Sequence, residues 1–215
     1  MIYLSNSMIL VITQAGHLPG ETECWKELIA AGADAILLRK PGWTEDDYAH
    51  LLEEADPVVY PQLLIAQHYQ LQQRYGLRGV HFSESLRNST LPQQLEALRN
   101  EECLLSTGIH YGNTPTGMQT VWDLLLLSPV FDSISKPGYK GLADQGFHRN
   151  NEPWAAGNSP SRLIALGGIH QHNAALAKQM GFDGIALLGA VWQKAGNAVE
   201  HFIEIKKAWN GIAHT

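Results

Sequence analysis

The sequence predicts an α/β fold built on a parallel sheet, and three observations lead to that prediction. Short apolar or β-branched runs recur roughly every 20 to 30 residues, the rhythm of repeated strand–helix units. Helical patterns lie between these runs. No Pro/Ser-rich linker or low-complexity tract divides the 215 residues, so we expect one domain over residues 1–215. An eightfold alternation at this length favours a closed (β/α)8 TIM barrel, although periodicity alone leaves an open doubly wound sheet as an alternative.

The predicted strands are short and apolar. Leu124–Leu127 is a run of four leucines, typical of a strand that is covered on both faces, as strands of parallel sheets are. The eight predicted strands are Met8–Gln14, Ala35–Lys40, Gln62–Gln67, Gly79–Ser83, Cys103–Gly108, Asp123–Val130, Arg162–Gly168 and Gly184–Ala190.

Helical patterns separate the strands, and several carry end signals. Thr44 precedes an acidic first turn and is a candidate N-cap, while Gly32, Gly76 and Gly181 suit helix C-termini. The predicted helices are Glu21–Ala31, Thr44–Ala55, His68–Tyr75, Pro92–Arg99, Thr114–Val121, a weak segment near Glu152–Ala156, His170–Met180 and Trp192–Trp209.

Composition narrows the function classes. A net charge of -6 without a basic stripe argues against nucleic acid or an anionic membrane as the main partner. Cys24 and Cys103 form no CxxC pair, which argues against a disulfide framework and a zinc knuckle. Met8–Ile12 is too short for a signal core or a membrane span. We therefore expect a soluble cytoplasmic protein.

The end of strand two carries two adjacent cations. Ligands of parallel α/β folds bind at the carboxyl ends of the strands, and Arg39 and Lys40 follow this buried strand directly. An arginine fork and a lysine point charge both suit an anion, and Pro41–Gly42 turns the chain sharply after them. We favour an anion site over the alternative of a charged surface turn.

Glycines follow the last two strands. Gly167 and Gly168 end strand seven, and Gly189 follows Leu188 at the end of strand eight. A glycine lets a phosphate approach the backbone without a Cβ in the way, and a following helix N-terminus offers N–H donors. Paired sites after strands seven and eight form the usual phosphate site of a TIM barrel. We therefore predict phosphate binding there.

The loop after strand six combines hydroxyl groups with lysines. Ser133, Ser135, Lys136 and Lys140 all lie in the segment Ser128–Gly141. Taken alone, this segment is equally consistent with a solvated surface loop. Its place after the sixth strand of a barrel favours a ligand loop that contacts an anion such as a phosphate ester.

Histidines supply the candidate proton carrier. His110 follows strand five, where an imidazole over the barrel mouth can move a proton. His81 lies within strand four and is interpreted as a hydrogen-bonded structural histidine. His170 and His172 have metal-ligand spacing and His68 follows strand three, but no carboxylate sits beside the pair and no HExxH motif occurs. No metal site is therefore assigned to them.

These motifs, taken in order, resemble the thiamine phosphate synthase/TenI superfamily. The match runs from about Met8 to Trp192, and it is specific as a set although each piece alone is not. The motifs are Leu38–Arg39, Gly79–Phe82, Gly108–His110, Ser128–Lys136, Ala165–Ile169 with Asn173, and Gly184–Gly189. The resemblance implies a TIM barrel that binds a thiazole phosphate, usually as a homodimer. It also implies anion contacts from Arg39 and Lys136 and a backbone phosphate site at Gly168, Leu188 and Gly189.

Departures from the family pattern separate its two branches. In the synthase branch, acids after strands three and four hold Mg²⁺ against a pyrophosphate. Here Ala66, Gln67 and His68 stand at the first position and Leu86 at the second. Mg²⁺ prefers hard, anionic oxygen ligands, and Gln67 alone is a poor substitute. The synthase's Gln-Leu-Arg-Glu-Lys is also reduced to Leu37–Pro41, so its second cation is out of register.

The TenI branch, the thiazole tautomerases, needs no metal. Its reaction removes a proton beside a carboxylate and returns one to an exocyclic carbon, which requires a proton shuttle and an anion site. The resemblance implies that His110 is the acid/base, that Arg39 holds the carboxylate and that Lys136 assists. We therefore predict a thiazole tautomerase without a cofactor. The alternatives are a thiamine phosphate synthase, which would require Mg²⁺, and a non-catalytic phosphate-ligand-binding or partner protein.

Overall fold

Eight parallel strands close into a barrel in the order in which they occur along the chain, which confirms the predicted TIM barrel. The computed structural model describes residues 7–100, 103–111, 122–132, 141–152, 161–193 and 196–211. Closure is made by β8 against β1, where Met8 lies opposite Gly184. The strands are β1 (Met8–Ile12), β2 (Ala35–Leu38), β3 (Leu63–Ile65), β4 (Gly79–Phe82), β5 (Leu104–Ile109), β6 (Leu124–Leu127), β7 (Arg162–Leu166) and β8 (Gly184–Leu187). The assignment of residues 1–215 to one domain stays a prediction.

Helices follow most strands and cover the outside of the barrel. They are α1 (Glu21–Ala30), α2 (Glu45–Glu54), α3 (Gln70–Tyr75), α4 (Glu84–Ser89), α5 (Pro92–Asn100), α6 (Ala174–Gln179), α7 (Gly189–Trp192) and α8 (Ala198–Asn210). Short 3-10 turns occupy Pro57–Gln62, Ala143–Gln145 and Arg149–Asn151. None of the helices in the described ranges is long and apolar enough to cross a bilayer.

Several predicted boundaries differ from the observed ones. The predicted helix His170–Met180 begins only at Ala174, because the Asn173 side chain accepts from His170 N–H (2.8 Å) and holds the preceding residues in turns. Most of the predicted helix Trp192–Trp209 falls in α8, which begins only at Ala198. Trp192 ends the separate helix α7, and Gly196 between the two helices has a φ of 91°. Helix α4 was not predicted, because its polar sequence lacks apolar periodicity.

Two further helix predictions fall on other parts of the chain. Thr114–Val121 and most of Glu152–Ala156 lie outside the described residues.

The predicted strands extend beyond the observed ends by one to three residues at several places, for example at Val130, whereas strand β6 ends at Leu127. Backbone hydrogen bonds to the neighbouring strand continue past β6, as from Val130 N–H to the Leu166 carbonyl (2.9 Å), although the regular strand has ended.

The side chains of each strand alternate between two cores. One set points into the barrel, and the other packs between the strands and the helices. The inner cluster consists of Met8, Leu10, Ile12, Ala35, Leu37, Leu64, Ala66, Leu104, Leu124, Leu126, Ile164 and Ala186. The strands are buried on both faces, which explains their continuous hydrophobic runs.

The predicted helix signals are borne out at two ends. Thr44 forms a capping box with Asp47, in which each side chain accepts from the other residue's backbone N–H. Gly76 ends α3 in the left-handed region at φ 65°, a conformation that glycine adopts without a Cβ clash. Local sequence therefore determines where α2 begins and where α3 ends.

Three aspartates form hydrogen bonds between neighbouring strands at the amino end of the barrel. Asp34, Asp123 and Asp183 each precede an even-numbered strand, and each carboxylate accepts a backbone N–H of the preceding strand, from Ile9 (2.8 Å), Leu105 (2.8 Å) and Leu163 (2.7 Å). In return, each aspartate donates its own N–H to the carbonyl of that same residue. The strands are thus fastened in pairs at this end.

Arginines complete this end of the barrel. Arg99 lies 3.3 Å from the Asp123 carboxylate, and Arg149 pairs with Asp183. Before β4 the aspartate is replaced by Arg78, whose guanidinium donates to the Asp34 carbonyl (2.6 Å). Charged groups at the amino end therefore bind one another and the backbone.

Candidate active site

The inward register of the strands continues past their carboxyl ends. Two residues after the inner Leu37 comes Arg39, and His81 stands two residues after Gly79. Continuing the same alternation from Leu104 leads to His110, and from Ala186 to Leu188. Side chains from four strands therefore surround one barrel mouth.

Arg39 is exposed at this mouth on an anchored backbone. Its N–H donates to the Thr13 Oγ1 (2.9 Å), and the Thr13 hydroxyl donates to the Arg39 carbonyl (3.2 Å). Thr13 is 1% exposed. Within the described ranges, no carboxylate is paired with the Arg39 guanidinium. The guanidinium is available for an anionic ligand.

A cavity of about 190 Å³ lies beside Arg39. It is lined by Arg39, Pro41, Ala66, Gln67, His81 and Ser83. Gln67 is a predicted substrate-site residue, and its Oε1 accepts from the Tyr48 hydroxyl (3.3 Å). The carboxyl ends of β2, β3 and β4 thus form one polar pocket with a single charged side chain.

His81 lines this cavity and also makes the structural hydrogen bond expected of it. Its Nδ1 lies 3.0 Å from Ser106 Oγ, and the Ser106 hydroxyl donates to the Val80 carbonyl (3.4 Å). The His81 Nδ1 is therefore the donor in this pair. Burial, and to a smaller extent the charge of Arg39, lowers the pKa of His81 to about 4. His81 is thus a neutral imidazole at pH 7, and sequence reasoning missed its contact with the pocket although the alternation from Gly79 indicates it.

His110 is exposed at the end of β5, and its ring contacts the backbone after β6. Its Nδ1 lies 2.9 Å from the Ser128 carbonyl oxygen. Because a carbonyl only accepts, Nδ1 carries the proton and Nε2 carries the lone pair of the neutral ring. This is the tautomer that lets Nε2 act as a base.

Lys40 lies in a different place from the one expected. Its side chain is 0% exposed, and its Nζ donates to the Glu21 carboxylate (2.5 Å) and to the Gly16 carbonyl (2.7 Å). Arg39 and Lys40 are neighbours in sequence, so the strand alternation sends their side chains to opposite sides. The structure therefore separates the predicted cation pair, and only Arg39 reaches the mouth.

The residues at the family's magnesium positions do not suit Mg²⁺. Gln67 and Leu86 offer one neutral amide and no carboxylate, and the Gln67 oxygen already accepts from Tyr48. Arg87 of α4, a cation, donates to the Thr107 hydroxyl (2.9 Å) and the Gly108 carbonyl (2.8 Å) on the neighbouring strand. In the described part of the chain, no three His, Cys, Asp or Glu side chains are grouped so as to hold a metal ion.

The predicted phosphate glycines occupy the ends of β7 and β8. Gly167 and Gly168 have φ of 98° and 66°, and a Cβ on Gly168 would lie 2.5 Å from the Asp132 carbonyl. The Asn173 side chain donates to the Gly168 carbonyl (2.8 Å) and fixes this turn. Gly189 begins α7 with open space around its missing Cβ.

A second cavity, of about 240 Å³, adjoins Gly168. Asp132, Asp144, His170 and Asn173 contribute to its lining. The two carboxylates oppose an anion in this cavity.

Other predicted site residues lie beyond the described ranges. Ser133, Ser135 and Lys136, with Lys140, fall within residues 133–140. The described ends of this segment pack on β7, since Val130 N–H donates to the Leu166 carbonyl (2.9 Å). The described chain before this segment lies beside the predicted phosphate glycines, since the Phe131 N–H donates to the Gly167 carbonyl (3.1 Å).

The remaining histidines make local contacts. The rings of His170 and His172 lie 5.7 Å apart edge to face, and the His170 Nδ1 accepts from the His172 backbone N–H (3.2 Å). His68 has a φ of 53° and contacts the Trp43 carbonyl through Nε2 (3.1 Å). Neither arrangement adds a second proton carrier at the mouth.

Comparisons with solved structures agree with this architecture. A thiamine phosphate pyrophosphorylase from Bacteroides thetaiotaomicron superposes with a TM-score of 0.71 at 21% identity, over 96% of this chain and 100% of that one. A thiamine phosphate pyrophosphorylase from Pyrococcus furiosus gives 0.68 at 16% identity, over 97% and 98%. Phosphoribosyl anthranilate isomerase from Thermus thermophilus gives 0.58 at 16% identity, over 96% and 100%. At these identities the likeness shows the fold.

Sequence comparison supplies the family. No curated protein sequence matches the chain significantly. The family model described as thiamine monophosphate synthase, TMP-TENI, matches residues 9–191. This range contains all eight strands except Met8, the first residue of β1. This match spans most of the 215 residues and supports a thiamine-related function. The chain belongs to the thiamine monophosphate synthase (TMP-TENI) family.

Proposed function

We propose that the protein is a thiazole tautomerase that works without a metal ion. The observation that carries the proposal is the imidazole of His110, which is exposed at the carboxyl end of β5 with its Nδ1 2.9 Å from the Ser128 carbonyl oxygen. The exposed guanidinium of Arg39, on another strand of the same mouth, supplies positive charge.

The reaction balances as a proton transfer. Nε2 of His110 takes the proton from the ring carbon beside the carboxylate, and the electron pair of that C–H bond moves into the thiazole ring. A new C–H bond forms at the exocyclic carbon when the protonated imidazole returns a proton. The imidazole ends neutral, and the thiazole becomes aromatic with no oxidant, reductant or cofactor.

Arg39 supports the charge that develops in this reaction. A guanidinium can bind the substrate carboxylate through two parallel hydrogen bonds and stabilise the electron-rich intermediate. His81, neutral at pH 7, lines the same cavity and can accept a hydrogen bond from a ligand donor without adding charge. The pocket therefore suits one carboxylate better than a pyrophosphate.

The phosphate of the substrate would lie between Gly168 and the Leu188–Gly189 end of β8. The inward register of Leu188 and the open space at Gly189 support this placement. Lys136, Ser133 and Ser135 follow β6 in the sequence and are our candidates for further anion contacts. The proposed partner is thus a thiazole carboxylate phosphate, and the proposed assembly is a homodimer in the cytoplasm.

Synthase activity remains the second candidate, because the family takes its description from that activity. The synthase reaction would need Mg²⁺ to stabilise a pyrophosphate leaving group, and Gln67 and Leu86 do not supply a magnesium site. This disagreement is the reason that we rank the tautomerase first.

Direct assay of the purified protein separates the candidates. Aromatisation of the thiazole carboxylate phosphate tautomer, followed by absorbance in the presence of EDTA, is expected to be fast. Incubation with the pyrimidine pyrophosphate, the thiazole phosphate and excess Mg²⁺ is expected to give no thiamine phosphate. Product in the second assay alone would overturn the proposal in favour of the synthase. Thermal stabilisation by the ligands without turnover in either assay would indicate a non-catalytic binding protein.

A further inference from the structure

We propose that the buried ion pair of Glu21 and Lys40 is a positioning device for Arg39. The pair fixes the carboxyl end of β2 in the register that directs the Arg39 guanidinium into the barrel mouth. The inference rests on the proposed function only for the role that it gives to Arg39. The position of Arg39 itself can be measured without any substrate.

The ion pair ties three segments together. The Lys40 side chain is 0% exposed and that of Glu21 is 1% exposed. The Lys40 ammonium group contacts the Glu21 carboxylate at 2.5 Å and the Gly16 carbonyl at 2.7 Å, and it lies 5.3 Å from the Trp43 ring centroid. The segment before α1, the end of β2 and the turn before α2 thus meet at one buried charge.

Stability alone does not account for this pair. Removing two charges from water is costly, and apolar replacements of similar volume often leave stability unchanged or raise it. One oxygen of the pair, Glu21 Oε1, is buried with no hydrogen-bond partner among the described residues. Burial accordingly raises the pKa of the Glu21 carboxyl, and the hydrogen bond and charge of Lys40 offset part of that rise. Buried ion pairs of this kind are best explained where they fix a register.

The direction of the Arg39 side chain depends on the register of the end of β2. Consecutive strand residues point to opposite faces, so a slip by one residue would bury the Arg39 side chain on the helix side and bring Lys40 to the mouth. The Arg39 main chain is bracketed by the Thr13 hydroxyl, and the next N–H, that of Lys40, donates to the Tyr48 hydroxyl (2.7 Å). The ion pair adds a side-chain contact to these main-chain contacts. It is compatible with only one arrangement of the strand end, in which Lys40 lies on the helix side and Arg39 lies at the mouth.

The first test measures Arg39 itself. The double variant Glu21→Met with Lys40→Met removes both charges at similar volume, and we expect it to fold. Amide hydrogen exchange at Arg39 is expected to become at least about tenfold faster than in the wild type, while exchange in β5 to β7 stays unchanged. If that variant does not fold, Glu21→Gln with Lys40→Gln retains hydrogen-bonding groups for the same measurement. Unchanged exchange at Arg39 in a folded double variant would overturn the proposal.

An exposed ion pair of the same chemistry is the matched control. Lys26 and Asp56 lie 3.0 Å apart with 47% and 44% of their side chains exposed. The variant Lys26→Met with Asp56→Asn is expected to leave Arg39 exchange at the wild-type rate. An equal acceleration in this control would show a general loosening and would also contradict a specific positioning role.

The second test asks whether the pair acts through Arg39. In the wild-type background, the double variant is expected to raise KM for the thiazole tautomer and to lower kcat, so that kcat/KM falls about tenfold. In an Arg39→Met background it is expected to change neither, because the group that it positions is gone. Multiplicative effects in the two backgrounds would refute action through Arg39. Absence of any turnover in the wild type would refute the proposed function, and the exchange experiment would still decide the positioning role.

Discussion

The polar groups that flank the strands differ in their partners between the two ends of the barrel. At the amino end, Asp34, Asp123 and Asp183 accept strand N–H groups at 2.7–2.8 Å, and arginines pair with two of the carboxylates. At the carboxyl end, Arg39 and His110 are exposed. The three amino-end carboxylates are bound within the protein, whereas the Arg39 and His110 side chains face solvent.

Because of this difference, residues at the amino end contribute mainly to stability, and residues at the carboxyl end are the candidates for ligand binding and catalysis. Groups that saturate one another at the amino end stabilise the barrel and are poor ligand sites, since a ligand would have to displace an existing partner. At the carboxyl end, Arg39 is held by its main chain, through the Thr13 hydroxyl, while its side chain remains at the mouth. Substitutions at the two ends should therefore change different measured quantities.

The largest effect is expected from His110→Ala. Loss of the proton carrier should lower kcat for aromatisation by about 10²–10⁴-fold, the usual contribution of general acid–base catalysis, with little change in the melting temperature. His50→Ala, which removes an exposed imidazole from α2, is the control and should match the wild type. A His110→Ala enzyme as fast as the wild type would remove His110 from the mechanism.

The converse result is expected at the amino end from Asp183→Ala. This change removes the acceptor of Leu163 N–H and the partner of Arg149. It should cost about 1–3 kcal/mol of unfolding free energy, because a buried donor loses its partner. Asp183→Asn keeps an acceptor oxygen and should cost less. Urea unfolding and kcat are measured together, and a fall in kcat at unchanged stability would break the division between the two ends.

Sequence periodicity predicts the frame of this molecule well, for a physical reason. The runs of Leu124–Leu127 and Gly184–Leu187 have to be buried on both faces, and only a covered parallel sheet achieves that. Capping chemistry located the start of α2 at Thr44 for an equally local reason. The boundaries of α6 failed because a side-chain contact, from Asn173 to His170 N–H, replaces the first helical turn.

The candidate site was less predictable, because its residues are sorted by long-range contacts. Arg39 and Lys40 carry the same charge in sequence, and only the partner Glu21, nineteen positions away in the chain, shows that Lys40 is buried. His81 was assigned a structural hydrogen bond, which Ser106 provides, but its place in the Arg39 cavity depends on three strands meeting. Strand alternation indicates the side of the sheet on which each of these side chains lies, but it does not indicate the partner that the side chain meets there.

His81 lies between the two ends and sharpens the comparison through pH. Its pKa is about 4 in the folded protein, below the ordinary histidine value of 6.5. Between these two pH values the imidazole is protonated in the unfolded chain and neutral in the folded one. Stability should therefore be fully present above pH 6.5 and fall as the pH drops toward 4, by about 2 kcal/mol at pH 5. Urea unfolding at pH 7 and pH 5 should show a smaller difference in His81→Gln than in the wild type. An equal difference in both proteins would mean that His81 is not the titrating group.

The smallest effect, and the cleanest separation of binding from folding, is expected at Gly189. A Cβ there meets no atom within 4 Å, and the residue begins α7, so Gly189→Ala should leave the melting temperature unchanged or slightly higher. A methyl group at this position would keep the phosphate from the backbone and should raise KM about tenfold, close to 1.4 kcal/mol of binding energy. Gly168→Ala is the contrasting variant, because its φ of 66° and the Asp132 carbonyl at 2.5 Å should also lower stability. If Gly189→Ala left KM for the tautomer unchanged, the phosphate would have to bind away from the end of β8.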